Sequence, residues 1–436
     1  MNNFTKILRY YSQKEVQEAL LEISRKREIV GVYDNGSFDK RPNILAYPDD
    51  IVEMVKKGVV SFHGSVERWS SPMRLESGMT AQQLDNLRVG WDLILDPDCS
   101  DFDLSKITVK TICEALEDHG IKGYSIKYTG GKGFHLGIPF EAFPKKVNEK
   151  NLEKIYPDVA KTIIEYLKYY VKEILKERFL ELDNPLSLVE RVGKNIQDCI
   201  DEDGINPLKL VEIDSMVASS RHMFRLPYSL HEKSLLVSLP IKLSQLNKFQ
   251  KQDASLWKVK VNTKFLGEEP KLAEASSLLV EALDWSEKYR SGKDEDKVEY
   301  KGPIKKLKKV PKKYFPPCIT KMLGGLKDGR KRSVFVLITF LQNMGWPWDK
   351  IEKELEEWNK RNSRPLPKNY VKTQLRWHQR QPKNLLPPNC DNDNYYKNIL
   401  GEVKDDCCER LKNPVNYVFK KLKRKNKVKK DNIIDV

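Results

Sequence analysis

Hydrophobic residues recur at helical spacing over 14–28, and the apolar run Ile-Val-Gly-Val-Tyr at 29–33 then predicts a β-strand that ends in a polar Asp-Asn-Gly turn. Further predicted elements are strands within 87–95 and 124–138 and a long amphipathic helix over 157–182. Because helices and strands alternate from the start, the pattern predicts one mixed α and β domain that reaches about residue 284.

The last third of the chain has a different pattern. Apolar residues thin out after 286, where Lys, Glu, Asp, Gly and Pro dominate as in a solvated linker. Helical periodicity returns at 333–344 and 348–358, so the following domain should be mainly α. The stretch 420–430 carries eight Lys or Arg in eleven residues, which suits a solvated tail or a DNA contact. The predicted divisions are a first domain over 1–285, a linker over 286–313, a helical domain over 314–422 and a basic tail over 423–436.

Composition adds a preference for polyanions. The 436 residues include 78 Lys and Arg against 62 Asp and Glu, a formal net charge of +16. This balance favours nucleic acid as a partner, although a Lys- and Glu-rich composition is also typical of thermophilic proteins. No run of eighteen apolar residues and no charged-then-apolar start is present. We therefore expect a cytoplasmic protein with no membrane partner.

The chain has seven cysteines, an odd number that argues against a disulfide framework and leaves metal or cluster ligation open. Three lie in the first half, at Cys99, Cys113 and Cys199. Four lie in the last third, at Cys318, Cys390, Cys407 and Cys408.

Two carboxylates end a strand-like segment at 90–98. Asp96 and Asp98 are two residues apart, so on a strand they project to the same face and can share metal ions. Adjacent carboxylates repel each other unless cations neutralise them, and hard oxygen ligands select Mg²⁺ or Mn²⁺ rather than zinc. Alone, such a pair is equally typical of a strand-end cap or turn.

A glycine-rich turn, Thr-Gly-Gly-Lys-Gly at 129–133, interrupts the strand-like segment 124–138. Such a turn exposes backbone N–H groups to anions. Lys132 adds a full positive charge and His135 a hydrogen-bond donor, a composition suited to a triphosphate. The alternative is an ordinary hairpin with a solvated lysine.

A third segment contains Asp214 and the run Arg-His-Met-Phe-Arg-Leu-Pro-Tyr-Ser-Leu-His-Glu-Lys at 221–233. The order and composition of the three segments resemble the archaeo-eukaryotic primase superfamily, specifically the small catalytic subunit of DNA primase. The resemblance spans about 29–241. Its most specific pieces are Leu-Asp-Pro-Asp at 95–98, the turn at 130–135 and Arg-Leu-Pro-Tyr-Ser-Leu-His at 225–231.

This resemblance implies an α+β catalytic domain of archaeo-eukaryotic primase type, followed by a mainly α accessory domain. It implies that Asp96, Asp98 and Asp214 are the catalytic carboxylates and bind Mg²⁺ or Mn²⁺ for two-metal nucleotidyl transfer. The residues expected around the incoming nucleotide are Thr129, Gly131, Lys132, His135, Arg225, His231 and, from a weaker match of an Arg-Pro pair, Arg41. The neighbouring Asp92 is expected to support the site rather than to catalyse.

The chain departs from that family at one point. Many primase small subunits carry a zinc-binding knob after the first carboxylate pair, whereas Cys99 and Cys113 are the only cysteines in that region here. Two ligands cannot make a closed structural zinc site. Cys99, Cys113 and Cys199 are therefore interpreted as small packing residues.

The helical domain resembles the carboxy-terminal domain of the primase large subunit over about 314–422, in Phe-Pro-Pro-Cys-Ile at 315–319, Pro-Pro-Asn-Cys at 387–390 and Asn-Pro-Val-Asn-Tyr at 413–417. In that family the domain holds a four-iron, four-sulfur cluster, whose ligands here would be Cys318, Cys390, Cys407 and Cys408. Adjacent cysteines rarely reach two corners of one cluster, so a three-cysteine remnant or a metal-free domain is the alternative. Arg330, Lys331, Arg332 and Arg376 are predicted to contact nucleic acid or to form a solvated face.

These inferences predict a DNA primase of archaeal type, which makes primers on single-stranded DNA from nucleoside triphosphates. Such an enzyme would be a DNA-directed RNA polymerase. We expect it to be associated with the nucleoid and with other replication proteins. A gap-filling, end-joining or translesion polymerase of the same superfamily would keep the three aspartates without needing the last domain. A third hypothesis is a DNA-binding replisome protein whose catalytic site has decayed, and the intact aspartates argue against it.

Overall fold

The computed structural model describes residues 2–201, 204–267, 270–294, 309–379, 385–392, 395–409 and 411–431. The chain divides into two compact units, Met1–Asp296 and Lys297–Val436. Half of the predicted linker, 295–308, and the end of the predicted basic tail, 432–436, lie outside the described residues.

The first unit mixes helices and strands. Its helices are α1 (Asn3–Tyr11), α2 (Lys14–Ser24), α3 (Pro48–Lys56), α4 (Ala81–Leu87), α5 (Phe102–Asp118), α6 (Asp158–Leu182), α7 (Pro185–Val192), α8 (Ile196–Cys199), α9 (Pro207–Leu210), α10 (Leu243–Leu246) and α11 (Ser276–Asp294). Its strands are β1 (Ile29–Tyr33), β2 (Val59–Ser65), β3 (Glu67–Trp69), β4 (Arg88–Trp91), β5 (Leu93–Asp98), β6 (Ser125–Tyr128), β7 (Phe134–Ile138), β8 (Lys146–Val147), β9 (Lys150–Asn151), β10 (Ile200–Asp201), β11 (Gly204–Ile205), β12 (Glu212–Asp214), β13 (Met223–Arg225) and β14 (Pro240–Ile241).

An antiparallel five-stranded sheet organises this unit, in the order β12-β5-β7-β6-β14. Its pleat sends alternate side chains to opposite faces. Leu95, Leu136 and Ile213 lie on one face and are buried, and α5 packs on β5 and β7. Helix α5 begins at an Asp101 side chain that accepts hydrogen bonds from the N–H groups of Asp103 and Leu104. The other face of the sheet carries the polar residues described below.

A second, three-stranded sheet has the order β1-β2-β13. Buried ion pairs tie its loops to the rest of the unit. Asp92 is fully buried and paired with the guanidinium groups of Arg27 and Arg68, and its Oδ1 accepts a hydrogen bond of 3.0 Å from the N–H of Phe140. The carboxylate of Asp92 is therefore committed to these partners.

Most predicted elements of this unit are present. The strand at 29–33 is β1, the interrupted segment 124–138 is β6 and β7, and the helix at 157–182 is α6. The strand predicted over 87–95 is instead split into β4 and β5 by Asp92, whose N–H bonds to the carbonyl of Val66 rather than to a strand partner. The cause is the burial of Asp92 among its arginines, which pattern alone does not reveal.

The second unit is mainly helical, as predicted. Its helices are α12 (Pro317–Leu323), α13 (Arg330–Asn343), α14 (Trp348–Arg361), α15 (Lys368–Gln379), α16 (Lys397–Leu400) and α17 (Pro414–Asp431). Helix α13 lies at its centre and buries Val334, Leu337 and Leu341, while Trp358 of α14 is buried and donates to the carbonyl of Met322 at 2.8 Å. Within the described residues, no helix is both long and apolar enough to cross a bilayer.

Candidate active site

The three predicted aspartates come together through strand pairing. In the register of β12 with β5, Asp214 lies opposite Asp96 and Glu212 lies opposite Asp98. Opposed residues of an antiparallel pair project to the same face with Cβ atoms about 4.5–5.5 Å apart. Asp96, Asp98 and Asp214 therefore share one face of the sheet, and Glu212 joins them there. Glu212 is two residues before Asp214 in the sequence, but nothing in the pattern marked it as a neighbour of Asp98.

The same face continues across β7 and β6 as a transverse row of polar side chains. Leu95 pairs with Leu136 and Lys127 pairs with His135, so Asp96, His135 and Lys127 occupy neighbouring positions. The Nε2 of His135 lies 3.5 Å from Oδ1 of Asp96. The buried Nζ of Lys127 donates to Oγ of Ser238 at 3.0 Å. Burial, helped by the charge of Arg225, lowers the pKa of Lys127 well below its usual value. Carboxylates thus occupy one end of the row and basic groups the other.

These groups shift one another's pKa values. Burial acts to raise the pKa of Asp96, but His135 and, more weakly, Lys127 outweigh it, so the pKa lies below its ordinary value. Burial, helped by the positive charge of Lys127, lowers the pKa of His135 although Asp96 opposes this. Asp96 is therefore held ionised beside a neutral imidazole, the state that a cation-binding carboxylate requires.

The glycine turn between β6 and β7 packs directly against this row. An ideal Cβ on Gly133 would lie 2.9 Å from the carbonyl oxygen of Pro97, and one on Gly131 would lie 2.9 Å from Nε2 of His231. The Oγ1 of Thr129 closes the turn by donating to the carbonyl of Gly133 at 3.0 Å. Glycine is therefore needed where the turn meets the carboxylate strand and the histidine, while Lys132 at its tip is exposed.

Arg225 links the turn to the second sheet. Its Nε donates to Oγ of Ser61 at 3.1 Å, its Nη1 to the carbonyl of Thr129 at 3.1 Å and its Nη2 to Oε2 of Glu232 at 2.6 Å. A guanidinium has five N–H donors. Two of them have no acceptor among the described residues, so Arg225 is positioned by the fold and still able to bind a phosphate.

His231 lies against the turn with a defined orientation. Its Nδ1 accepts a hydrogen bond from the N–H of Lys233 at 3.2 Å. With Nδ1 as acceptor, the neutral ring carries its proton on Nε2, which is the atom next to Gly131. His231 is therefore a donor directed towards the turn.

Two histidines that the sequence pattern did not indicate belong to the same region. The Nε2 of His63 is buried and has no hydrogen-bond partner among the described residues, and its pKa is lowered well below the usual value by burial and then by Arg225 and Lys127. Burial also lowers the pKa of His222, while Asp214 and Asp96 act to raise it, which places it beside both carboxylates. His63 belonged to no recognisable spacing, and His222, although it lies in the run 221–233, was not predicted as a site residue.

Arg41, the weakest predicted nucleotide contact, is held by Glu28. Its Nε and Nη2 donate to the two carboxylate oxygens of Glu28 at 3.0 Å each. Arg221 binds the same buried carboxylate, with Nε 3.1 Å from Oε2 and Nη2 2.6 Å from Oε1. The fold thus uses Arg41 as one partner of a buried ion triad, and 31% of its side chain stays exposed.

The carboxylate set fits a hard cation by donor type and by register. Asp96, Asp98 and Asp214 supply oxygen ligands of the kind that Mg²⁺ and Mn²⁺ prefer, and Oδ1 of Asp214 is oriented by a hydrogen bond of 2.7 Å from the N–H of Met216. In the part of the chain that the structure describes, however, no three His, Cys, Asp or Glu side chains converge closely enough to hold an ion. The register of β12 on β5 places the three aspartates on one face of the sheet.

Residues 95–243 match the family model described as DNA primase small subunit. This range contains the three aspartates, the glycine turn, Arg225 and His231. The first unit therefore has a primase-type mixed α and β fold.

Two individual proteins are also similar to the chain. It is 30% identical over 86 residues to an uncharacterized protein of Methanocaldococcus jannaschii, a match that covers 20% of this chain and 19% of that protein. The chain thus spans about a fifth of the length of this curated relative. A comparison with the polymerase domain of Mycobacterium tuberculosis ligase D, solved in complex with DNA, gives 14% identity and a TM-score of 0.38 over 67% of this chain and 89% of that one.

The cysteines separate by unit. Cys99, Cys113 and Cys199 are buried in the first unit, where they pack as predicted. In the second unit, burial and then the proximity of Cys390 and Cys408 raise the pKa of Cys318 to about 12. Burial and Cys408 likewise raise the pKa of Cys390 to about 11.

Three of the four predicted cluster ligands, Cys318, Cys390 and Cys408, are therefore neighbours. Cys407 acts to raise the pKa of Cys408 and that of Tyr417. Its N–H donates to Oδ1 of Asp405 at 3.0 Å. Among the described residues no set of metal-ligating side chains, these cysteines included, converges closely enough to hold an ion. Ligation of a cluster by these four cysteines stays a prediction.

The predicted nucleic-acid residues of the second unit lie on two helices. Arg330, Lys331 and Arg332 begin α13, and Arg376 is near the end of α15. Nη1 of Arg330 donates to the carbonyl of Arg364, and the Lys331 ammonium lies 5.1 Å from the ring centroid of Tyr370. Nucleic-acid binding remains a prediction for all four.

Proposed function

We propose that this protein is a DNA primase, which starts and extends a strand on a single-stranded DNA template by nucleotidyl transfer. The observation that carries the proposal is the pairing of Asp214 with Asp96, because it joins carboxylates that are distant in sequence on one face beside a glycine turn. The match of 95–243 to the primase small subunit family supports the same chemistry.

Each group of residues has a task in this reaction. The 3′ hydroxyl of the growing strand attacks the α-phosphorus of a nucleoside triphosphate, a new P–O bond forms, and pyrophosphate and a proton leave. Divalent ions bound by Asp96, Asp98 and Asp214 would activate the hydroxyl and stabilise the pyrophosphate. The remaining protein groups position substrates and neutralise charge.

The basic side of the row suits the triphosphate. The spare N–H donors of Arg225, the Nε2–H of His231 and the exposed ammonium of Lys132 surround a turn whose N–H groups can bind phosphate oxygens. Charge-assisted hydrogen bonds of this kind are stronger than neutral ones. The buried Lys127 lies beneath them and is held by Ser238, and burial, helped by the charge of Arg225, lowers its pKa well below the usual value.

The second unit is proposed to assist initiation. Starting a strand requires two untethered nucleotides to meet on the template, and holding one of them turns a rare encounter into a local one. The basic residues at the start of α13 and the cysteine set, with or without an iron–sulfur cluster, are the features proposed to serve this step. A polymerase that only extends existing strands would not need them.

The test is synthesis on a single-stranded template with labelled ribonucleotides or deoxyribonucleotides and Mg²⁺ or Mn²⁺, with and without an annealed primer. Asp96→Asn, Asp98→Asn and Asp214→Asn should each abolish synthesis while leaving template binding nearly unchanged, because these changes remove only metal ligation. Asp34→Asn, in an exposed turn, is the matched control. Extension without initiation would support the gap-filling alternative. Absence of both, or activity of an aspartate variant above a tenth of wild type, would refute the proposal.

A further inference from the structure

Two tyrosines at the end of α1 place their hydroxyl groups inside the first unit. The side chains of Tyr10 and Tyr11 are 1% and 0% exposed, and their rings meet edge to face with centroids 5.2 Å apart. A buried hydroxyl needs a hydrogen-bond partner, so the identity of the partners indicates what the side chain holds in place. Burial raises the pKa of both phenols, which therefore remain protonated donors at neutral pH.

Both hydroxyls bind the backbone of the segment 226–230. The Oη of Tyr10 donates to the carbonyl of Tyr228 at 2.9 Å. The Oη of Tyr11 accepts from the N–H of Leu230 at 2.8 Å, and it donates to a carbonyl of β2 at 2.8 Å. The two phenols therefore tie α1 to this segment at two points, and the second point is the residue directly before a histidine of the candidate site.

The bound segment contains a turn with an unusual backbone conformation. Tyr228 has a φ of +64°, in the left-handed region that residues other than glycine rarely adopt. Such a conformation costs free energy and persists only where surrounding contacts fix it. The N–H of Tyr228 donates to the carbonyl of Ser238 at 2.7 Å, and its Oη donates to the carbonyl of Thr263 at 2.6 Å. With the bond from Tyr10, three separate segments hold the turn.

The turn at Tyr228 lies between the two side chains that bracket the glycine-rich segment 129–133. Arg225 ends β13 before the turn, and His231 follows it. Each of these side chains lies against the glycine-rich segment. The shape of the turn sets their separation and direction, and the bond to Tyr11 fixes the backbone that leads into His231.

We infer that Tyr10 and Tyr11 are positioning residues of the nucleotide site. They hold the turn between Arg225 and His231 in the shape that directs both side chains to the glycine-rich segment. The inference rests on the proposed function and adds α1 to the elements that serve it. Because the two hydroxyls act through the backbone, removing one should affect the use of the incoming nucleotide rather than the binding of the template.

The test is Tyr11→Phe, which keeps the ring and removes the hydroxyl, in steady-state extension of an annealed primer. The KM for the incoming nucleotide should rise about tenfold, because the N–H of Leu230 loses its buried acceptor and His231 is no longer fixed. The kcat should change less, and primer–template affinity, measured by fluorescence anisotropy, should stay unchanged. Tyr10→Phe should act in the same direction, and it tests the inference independently if Tyr11→Phe does not fold.

A double-mutant cycle with His231→Ala distinguishes positioning from a general structural role. If Tyr11 acts through His231, Tyr11→Phe should raise the nucleotide KM much less in the His231→Ala background than in wild type. Tyr170→Phe is the matched control, since Tyr170 is 1% exposed and its Oη donates at 2.9 Å to Asp118, the last residue of α5. This control should leave the nucleotide KM unchanged in both backgrounds.

Denaturant unfolding of each variant shows that a change in KM is measured on folded protein. An equal rise of the KM in both backgrounds, an unchanged KM in Tyr11→Phe and Tyr10→Phe, or a loss of primer–template affinity alone would overturn the inference and leave the proposed function standing. A wild-type protein that does not extend primers would overturn the proposed function with it.

Discussion

Gly133→Ala should separate the glycine turn from the carboxylate strand. The added Cβ would lie 2.9 Å from the carbonyl oxygen of Pro97, a backbone atom next to Asp98. Gly133 does not have a positive φ, so alanine can adopt its backbone conformation and the effect is steric. The carbonyl of Gly133 is also held by the N–H and Oγ1 of Thr129 at 3.1 and 3.0 Å, which limits how the turn can yield.

The expected losses of stability and of rate follow from this close approach. Ordinary van der Waals contact begins at 3.4 Å, so the two backbones must separate by about 0.5 Å. Overpacking of this kind costs about 1–3 kcal/mol of stability. A displacement of 1 Å in an active site can cost about a hundredfold in rate, so half of that predicts a loss of about tenfold in kcat. The nucleotide KM should rise less, because Arg225 and His231 remain.

The assay is single-turnover extension of an annealed primer, with unfolding by denaturant measured in parallel. Gly90→Ala is the matched control, since its Cβ would meet the Phe140 ring at the same 2.9 Å but away from the site. Both variants should lose stability, and only Gly133→Ala should lose the chemical rate. If Gly133→Ala extends primers as fast as Gly90→Ala, the close approach of turn and strand has no part in catalysis and the reasoning is wrong.

Three other predictions follow from the same structure. Arg225→Ala should mainly raise the KM for nucleotide, measured in steady-state extension, whereas weakened template binding alone would mean that the site is oriented differently. Glu28→Gln should lower the free energy of unfolding by about 3 kcal/mol or more, because Arg41 and Arg221 lose a buried carboxylate, and an unchanged denaturation midpoint would contradict this. If Cys318, Cys390, Cys407 and Cys408 hold a cluster, full-length protein purified without oxygen should contain iron and show visible absorption that Cys318→Ser removes and that Cys113→Ser, the matched buried control, retains; colourless, iron-free protein would refute a cluster.

The sequence by itself determined the local elements, the glycine turn and the pair Asp96 and Asp98. Alternation and glycine content predicted the strand, turn and strand around 129–133, because these features depend on neighbouring residues. The spacing of Asp96 and Asp98 sufficed to put both on one face, since the pleat has a period of two. The helical nature of the second unit was also predictable, because helical periodicity depends on residues that are neighbours along the chain.

Only the tertiary structure decided what these residues face. Asp214 becomes the partner of Asp96 through the register of β12 on β5, and a slip of one residue would have turned it to the other face. Lys127, His63 and His222 entered the site because non-adjacent strands and loops met there, and Asp92 broke a predicted strand because two arginines surrounded it. Periodicity is set by neighbours along the chain, whereas register, burial and ion pairing are set by segments that are distant along it, and these decide which charges meet.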